Sequence, residues 1–131
     1  MEKIIKIKSK IENLKAVEKF IDEITFEYKL NEEAYGNILI ATLEASNNAI
    51  VHGNKLNENL DVVIEFKLDN EKILITVADK GKGFDYNNIP DPTSPDNIEK
   101  INGRGVFLMQ KLSDQINFIG CGNKVELKFN L

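Results

Sequence analysis

Leu60–Ala78 reads LDVVIEFKLDNEKILITVA. In its first half Leu60, Val62, Ile64, Phe66 and Leu68 alternate with Asp61, Val63, Glu65 and Lys67, the period of a strand with one buried and one wetted face. Asp69-Asn70 supplies a hairpin turn. The second half, Ile73 to Ala78, is apolar on both faces and belongs inside a sheet. Further on, Gln115 to Leu131 predicts another hairpin, turning at Gly120-Cys121-Gly122-Asn123, with polar residues at every second position from 124 to 131. Residues 3 to 8, where Ile5 and Ile7 alternate with Lys6 and Lys8, add a short strand. A sheet with one face in water must carry its helices on the other. The expected fold class is therefore an α/β (α+β) two-layer sandwich, with a mixed, mainly antiparallel sheet of about five strands and helices on one face.

The helices follow from a change of period. Ser9 and Glu12 form a capping box ahead of Ile11, Leu14, Val17, Ile21 and Ile24, an apolar stripe that predicts a helix to about Glu27. This stripe is read as core. Asn31 is a good N-cap, Glu32 and Glu33 suit the positive end of a helix dipole, and a second helix should run to His52 with Gly53 as its stop. Val106, Phe107, Leu108, Met109 and Leu112 predict a third helix ending near Ser113. Between Tyr86 and Asn102 the chain holds Pro90, Pro92 and Pro95 with no clear period, and a loop of that length is usually functional.

Composition bounds the function. The 131 residues suit one domain spanning 1–131, with 42% hydrophobic and 29% charged residues as in ordinary soluble domains. No apolar run approaches the roughly 18 to 20 residues that span a bilayer, and charge interrupts the isoleucines near Met1, so neither a signal peptide nor a membrane anchor is expected. Seventeen basic residues against 21 acidic ones leave a net charge of -4, which argues against a nucleic-acid partner. One cysteine, Cys121, and one histidine, His52, are too few for an intrachain disulfide or a structural zinc site. The expected compartment is the reducing cytoplasm.

Three stretches could carry chemistry. Glu44 and Asn48, four apart, project from one face of the second helix together with Ala41 and His52, although a solvated helix edge explains an isolated pair equally simply. Asp79-Lys80-Gly81-Lys82-Gly83-Phe84-Asp85 follows a buried strand. Its glycines permit close backbone approach and Asp79 can accept from an amino group, or the segment is an ordinary turn leaving the sheet. Gly103-Arg104-Gly105 stands immediately before the third helix, where free N–H groups and the helix dipole favour phosphate, or where a hinge enters a helix.

Taken in order along the chain, the three stretches resemble a known family. Glu44-Ala-Ser-Asn-Asn48-Ala-Ile-Val-His52-Gly53 resembles the N box of GHKL-type, or histidine kinase-like, ATP-binding domains. Asp79 to Asp85 resembles the first glycine box and Gly103-Arg104-Gly105 the second, with a nucleotide lid at about 86–102. The resemblance covers essentially the whole chain and is strongest to the bacterial anti-sigma factor serine kinase group.

That resemblance implies the fold just described, ATP and Mg2+ as cofactors, and a role for each matching residue. Asp79 would receive the adenine amino group, with Gly81 and Gly83 making room for the ring. Asn48 would coordinate magnesium, and Gly103, Arg104, Gly105 and Val106 would enclose the phosphates. Glu44 would act as the general base that orients or deprotonates the attacking hydroxyl, a task suited to a carboxylate in hydrogen-bond reach. The implied activity is that of an anti-sigma factor serine/threonine protein kinase. Its implied partners are a STAS-domain anti-sigma factor antagonist, phosphorylated on serine, and a sigma factor or other regulatory protein that is sequestered. A homodimer, built on an apolar remnant of the first helix or of a sheet edge, is a further implication. The alternative is a non-catalytic, ATP-gated binding module that sequesters a sigma factor or another regulator. The length leaves no room for a transducer domain or a dimerisation helix pair, so an ATP-driven clamp and a full histidine kinase are not expected, and His52 is read as a helix C-terminal residue near the pocket, not a phosphoacceptor.

Overall fold

A computed structural model describes residues 1–81 and 101–131, with side chains of the last stretch from Gly105 onward. Among the described residues five strands form one sheet: β1 (Glu2–Lys8), β2 (Asp61–Asp69), β3 (Lys72–Ala78), β4 (Gln115–Ile119) and β5 (Lys124–Asn130). Their spatial order is β1-β2-β3-β5-β4. Every pairing among them is antiparallel, which specifies the mainly antiparallel sheet expected from the alternation.

Register follows from burial. Ile64 faces Val77, Phe66 faces Ile75, Val77 faces Val125 and Ile75 faces Leu127, so one face presents a continuous apolar layer. A one-residue slip would turn that whole layer to water. On the opposite face Glu65, Thr76 and Glu126 lie side by side across β2, β3 and β5. The β2–β3 turn is built from Asn70 and Glu71, both at positive φ (46° and 67°), the backbone that matches strand twist in tight hairpins.

The apolar layer carries α1 (Leu14–Tyr28), α2 (Glu32–Asn48) and α3 (Ile101–Leu112). Val17, Ile21 and Ile24 of α1, Ile38, Ala41 and Ala45 of α2, and Val106 and Met109 of α3 belong to the same buried cluster as the strand residues. Two details of the first helix differ from expectation. Ser9 does not cap it: a 3-10 turn over Ile11–Asn13 precedes α1, with Lys10 at its start and no side-chain cap bond. The Ser9 hydroxyl instead donates to the Leu60 carbonyl at 2.6 Å, because Ser9 lies at the buried end of β1. Ile11, in that 3-10 turn, consequently drops out of the core stripe and is 54% exposed.

The N-terminus of α2 is as expected, with the Ala34 N–H donating to Asn31 Oδ1 at 2.8 Å. Its far end is not. The α-helix stops at Asn48 and continues as a π-helical turn over Ala49–Gly53. The Asn54 N–H accordingly reaches back five residues to the Ala49 carbonyl, at 2.8 Å. Such wide turns recur at functional sites because they re-aim side chains without ending the helix. No helix among the described residues is long and apolar enough to cross a membrane.

Candidate functional site

A cleft opens between α2, α3 and the β3–β5–β4 side of the sheet. It is open to solvent along one side. Ala45, Asn48, Ala49 and His52 line it from α2 and the π turn, Val106 and Met109 from α3, and Asp79 and Asn123 from the ends of their strands. The small side chains of Ala45 and Ala49 leave that room.

At one end of the cleft stands Asn48, with Glu44 beside it and outside the lining. They lie one turn apart on α2, and Gly105 of α3 rests against both. A β-carbon on Gly105 would come 2.9 Å from Asn48 Nδ2, 3.1 Å from Asn48 Oδ1 and 3.2 Å from Glu44 Oε2. Asn48 Oδ1 is buried and makes no hydrogen bond. Buried acceptors are nearly always satisfied, so an unpartnered amide oxygen lining a cleft is a free ligand position.

Asp79 stands at the other end, just beyond β3. Its N–H donates to the Asn123 carbonyl at 2.9 Å, and its carboxylate accepts the Gly81 N–H at 2.7 Å. Burial raises the Asp79 carboxyl above its ordinary value, with the Gly81 hydrogen bond acting in the opposite sense. The carboxylate is packed against Gly53: a β-carbon there would overlap its terminal atoms, approaching Oδ1 to 2.6 Å. One at Gly81 would in turn collide with the Gly53 backbone. Gly53 is thus required by close approach to Asp79 and not, as its position in the sequence suggests, by a left-handed helix cap.

Between the two ends, His52 lines the cleft with Nε2 buried and unpartnered. The dipole at a helix C-terminus favours the imidazolium, but burial prevails and lowers its pKa.

Of the expected site residues, Asn48, Asp79 and Val106 line the cleft, while Glu44 and Gly105 lie beside Asn48 and Gly81 beside Asp79, outside its lining. Gly83 and residues 86–100 of the expected lid lie outside the described residues, as do the side chains of Gly103 and Arg104. The backbone there corrects the expected start of α3. The described helix Ile101–Leu112 contains Gly103-Arg104-Gly105, which therefore lies within α3 instead of ahead of it. Glycine disfavours a helix interior by about 1 kcal/mol, which is why the run reads as a loop. Here α2 approaches too closely for a side chain at 105, and that packing decides.

Sequence reasoning missed Asn54, and read Ser9 only as part of a capping box and Asn123 only as part of a hairpin turn. Each is a single polar residue beside a turn, and nothing in local spacing separates a buried latch from a solvated loop.

The chain belongs to the histidine kinase-like ATPase domain family, whose model matches residues 7–129. Among curated proteins, the serine-protein kinases RsbW of Staphylococcus aureus strains JH9 and Newman are each 36% identical to it over 84 residues, covering 59% of this chain and 53% of the relative. The chain spans about half the length of the curated relatives it matches.

Proposed function

We propose that this chain binds Mg-ATP and is an anti-sigma factor serine/threonine protein kinase, transferring the γ-phosphoryl group to a serine of a STAS-domain anti-sigma factor antagonist. The observation that carries the reading is that Asn48, packed with Glu44 against Gly105, lines the same cleft as Asp79. An acceptor for a base amino group and a phosphate-handling pair are thus held apart on one surface. Similarity to serine-protein kinases named RsbW supports the choice of serine chemistry.

In this reading Asp79 accepts from the adenine amino group, and Gly81 and Gly83 leave room for the ring. Gly103, Arg104, Gly105 and Val106 close over the phosphates. Asn48 fits magnesium, since its buried Oδ1 is unpartnered and an amide oxygen is a hard donor. The ion, when bound, supplies neutralisation of phosphate charge. Glu44 takes the proton of the serine hydroxyl; that oxygen bonds the γ-phosphorus as the bond from phosphorus to the β-phosphate oxygen breaks and ADP leaves. The protein would act in the cytoplasm, pair with a second copy and sequester a sigma factor or other regulator.

The test is transfer from γ-labelled Mg-ATP in a lysate of the source organism, with wild type and Glu44→Ala compared and labelled proteins identified by mass spectrometry. The expected result is a phosphoserine on a small partner that disappears in Glu44→Ala. ATP binding without any labelled partner would replace the kinase by a nucleotide-gated binding module.

A further inference from the structure

Asn54, immediately after the π turn, is 2% exposed and has its hydrogen-bonding capacity largely filled from three directions. Its Nδ2 donates to Ser9 Oγ at 2.9 Å and to the Asp61 carbonyl at 3.1 Å, and its Oδ1 accepts the Lys80 N–H at 2.7 Å. Ser9 is itself 1% exposed and anchored through its hydroxyl to the Leu60 carbonyl. A buried pair joining the end of β1, the end of α2 and the start of β2 therefore grips the amide next to Asp79.

Asp79 is held on its other side by β5, whose Asn123 carbonyl accepts the Asp79 N–H. That bond extends the sheet and is blind to side-chain identity. Asn123 Nδ2 also reaches the Gly81 carbonyl, but only at 3.4 Å. The Gly81 N–H to Asp79 carboxylate bond closes the turn on itself, and the equally short bond from Lys80 to Asn54 is the side-chain contact that ties the start of that turn to the end of the π turn. A satisfied buried polar network of this kind specifies one geometry, because any shift leaves a desolvated group unpaired.

We propose that Asn54, backed by Ser9, is a positioning residue for Asp79 and thereby sets the preference of the cleft for a 6-aminopurine over a 6-oxopurine nucleotide. The inference rests on the reading above that Asp79 accepts from the base. A 6-amino group gains from a carboxylate held in one place. A 6-oxo group offers that carboxylate only a second acceptor, and the one nearby donor of such a base, N1–H, lies off the position where a 6-amino group would meet the fixed carboxylate. Losing the Asn54 acceptor frees the Lys80 N–H, lets the turn relax and moves the carboxylate off the amino group. ATP then suffers and inosine triphosphate does not.

The experiment is isothermal titration of Mg-ATP and Mg-inosine triphosphate into wild type, Asp79→Asn, Asn54→Ala and Ser9→Ala, each checked for a cooperative thermal melt. Asn54→Ala is expected to lower the ATP-to-inosine-triphosphate affinity ratio by about tenfold, the scale of one hydrogen bond to a charged group, through weaker ATP binding alone. Ser9→Ala should lower it by a smaller factor, about threefold. A general loosening of the fold would weaken both nucleotides alike and leave the ratio in place. A ratio that Asp79→Asn abolishes but Asn54→Ala leaves at the wild-type value overturns the positioning role and spares the base reading. A wild-type ratio near one overturns the base reading, and this proposal with it. Should Asn54→Ala fail to fold, Ser9→Ala decides by the same criterion.

Discussion

Gly53 and Asp79 are packed so closely that a β-carbon on the first would occupy the space of the second's carboxyl group. The two neighbouring glycine contacts differ in what could yield. At Gly53 the obstacle is the end of a short side chain, whereas at Gly81 it is the Gly53 backbone. Gly53→Ala should therefore displace the carboxylate, weakening ATP binding by tenfold or more, while stability falls by less than about 1 kcal/mol. Gly81→Ala should cost about 2 to 3 kcal/mol, as overpacking against backbone does. Urea melts and ATP titrations on the two variants separate these effects.

Asp79→Asn should abolish ATP binding and leave the fold intact. A variant that binds Mg-ATP normally would remove Asp79 from base recognition. The raised folded pKa adds a signature in stability. Below the unfolded value of 3.8 the carboxyl is protonated in both states and its burial carries no ionisation penalty. As pH rises from there through the raised folded value, the unfolded chain loses its proton first, so the wild type loses stability relative to Asp79→Asn. Urea melts of both proteins from pH 3.5 to 7 should show the difference opening over that window and then levelling.

His52 predicts the opposite slope. Its pKa is depressed below 6.5 by burial, so on acidification the unfolded chain takes up the proton before the folded one. Stability should fall as pH drops from 6.5 through the folded value. His52→Gln should remove that component, as seen in melts between pH 5 and 7.5.

Glu44→Ala should keep ATP affinity within about twofold while phosphotransfer drops by roughly 10^2 to 10^4, the usual contribution of a general base. Transfer at the wild-type rate would exclude Glu44 from that role.

Much of this architecture was readable in advance because its causes are periodic. The alternation of Val62, Ile64 and Phe66 defines a buried face, and Asn31 announces a helix start whatever follows. Glu44, Asn48 and Asp79 were legible as a set because helical spacing and a glycine-rich strand exit are also local patterns. What escaped was set by contacts distant in sequence. Ser9 left its capping box for Leu60 and Asn54, a choice made by the close of β1 against β2. Gly105 entered a helix that its intrinsic preference resists because α2 passes beside it. The π turn at Ala49–Gly53 carries no composition that marks it out from an α-helix, yet it delivers Gly53 to Asp79.

Of the five strands, β5 comes latest in the chain, yet it lies inside the sheet between β3 and β4. During synthesis β3 therefore remains an open edge, with Ile73, Ile75 and Val77 unmatched, until Lys124–Asn130 leaves the ribosome. Edges of that kind template pairing with other chains. The Asp79 N–H likewise has no acceptor until Asn123 arrives. A nascent chain halted before residue 123 would be sticky and without a formed cleft, so ribosomes stalled there should yield aggregates in place of partly active protein.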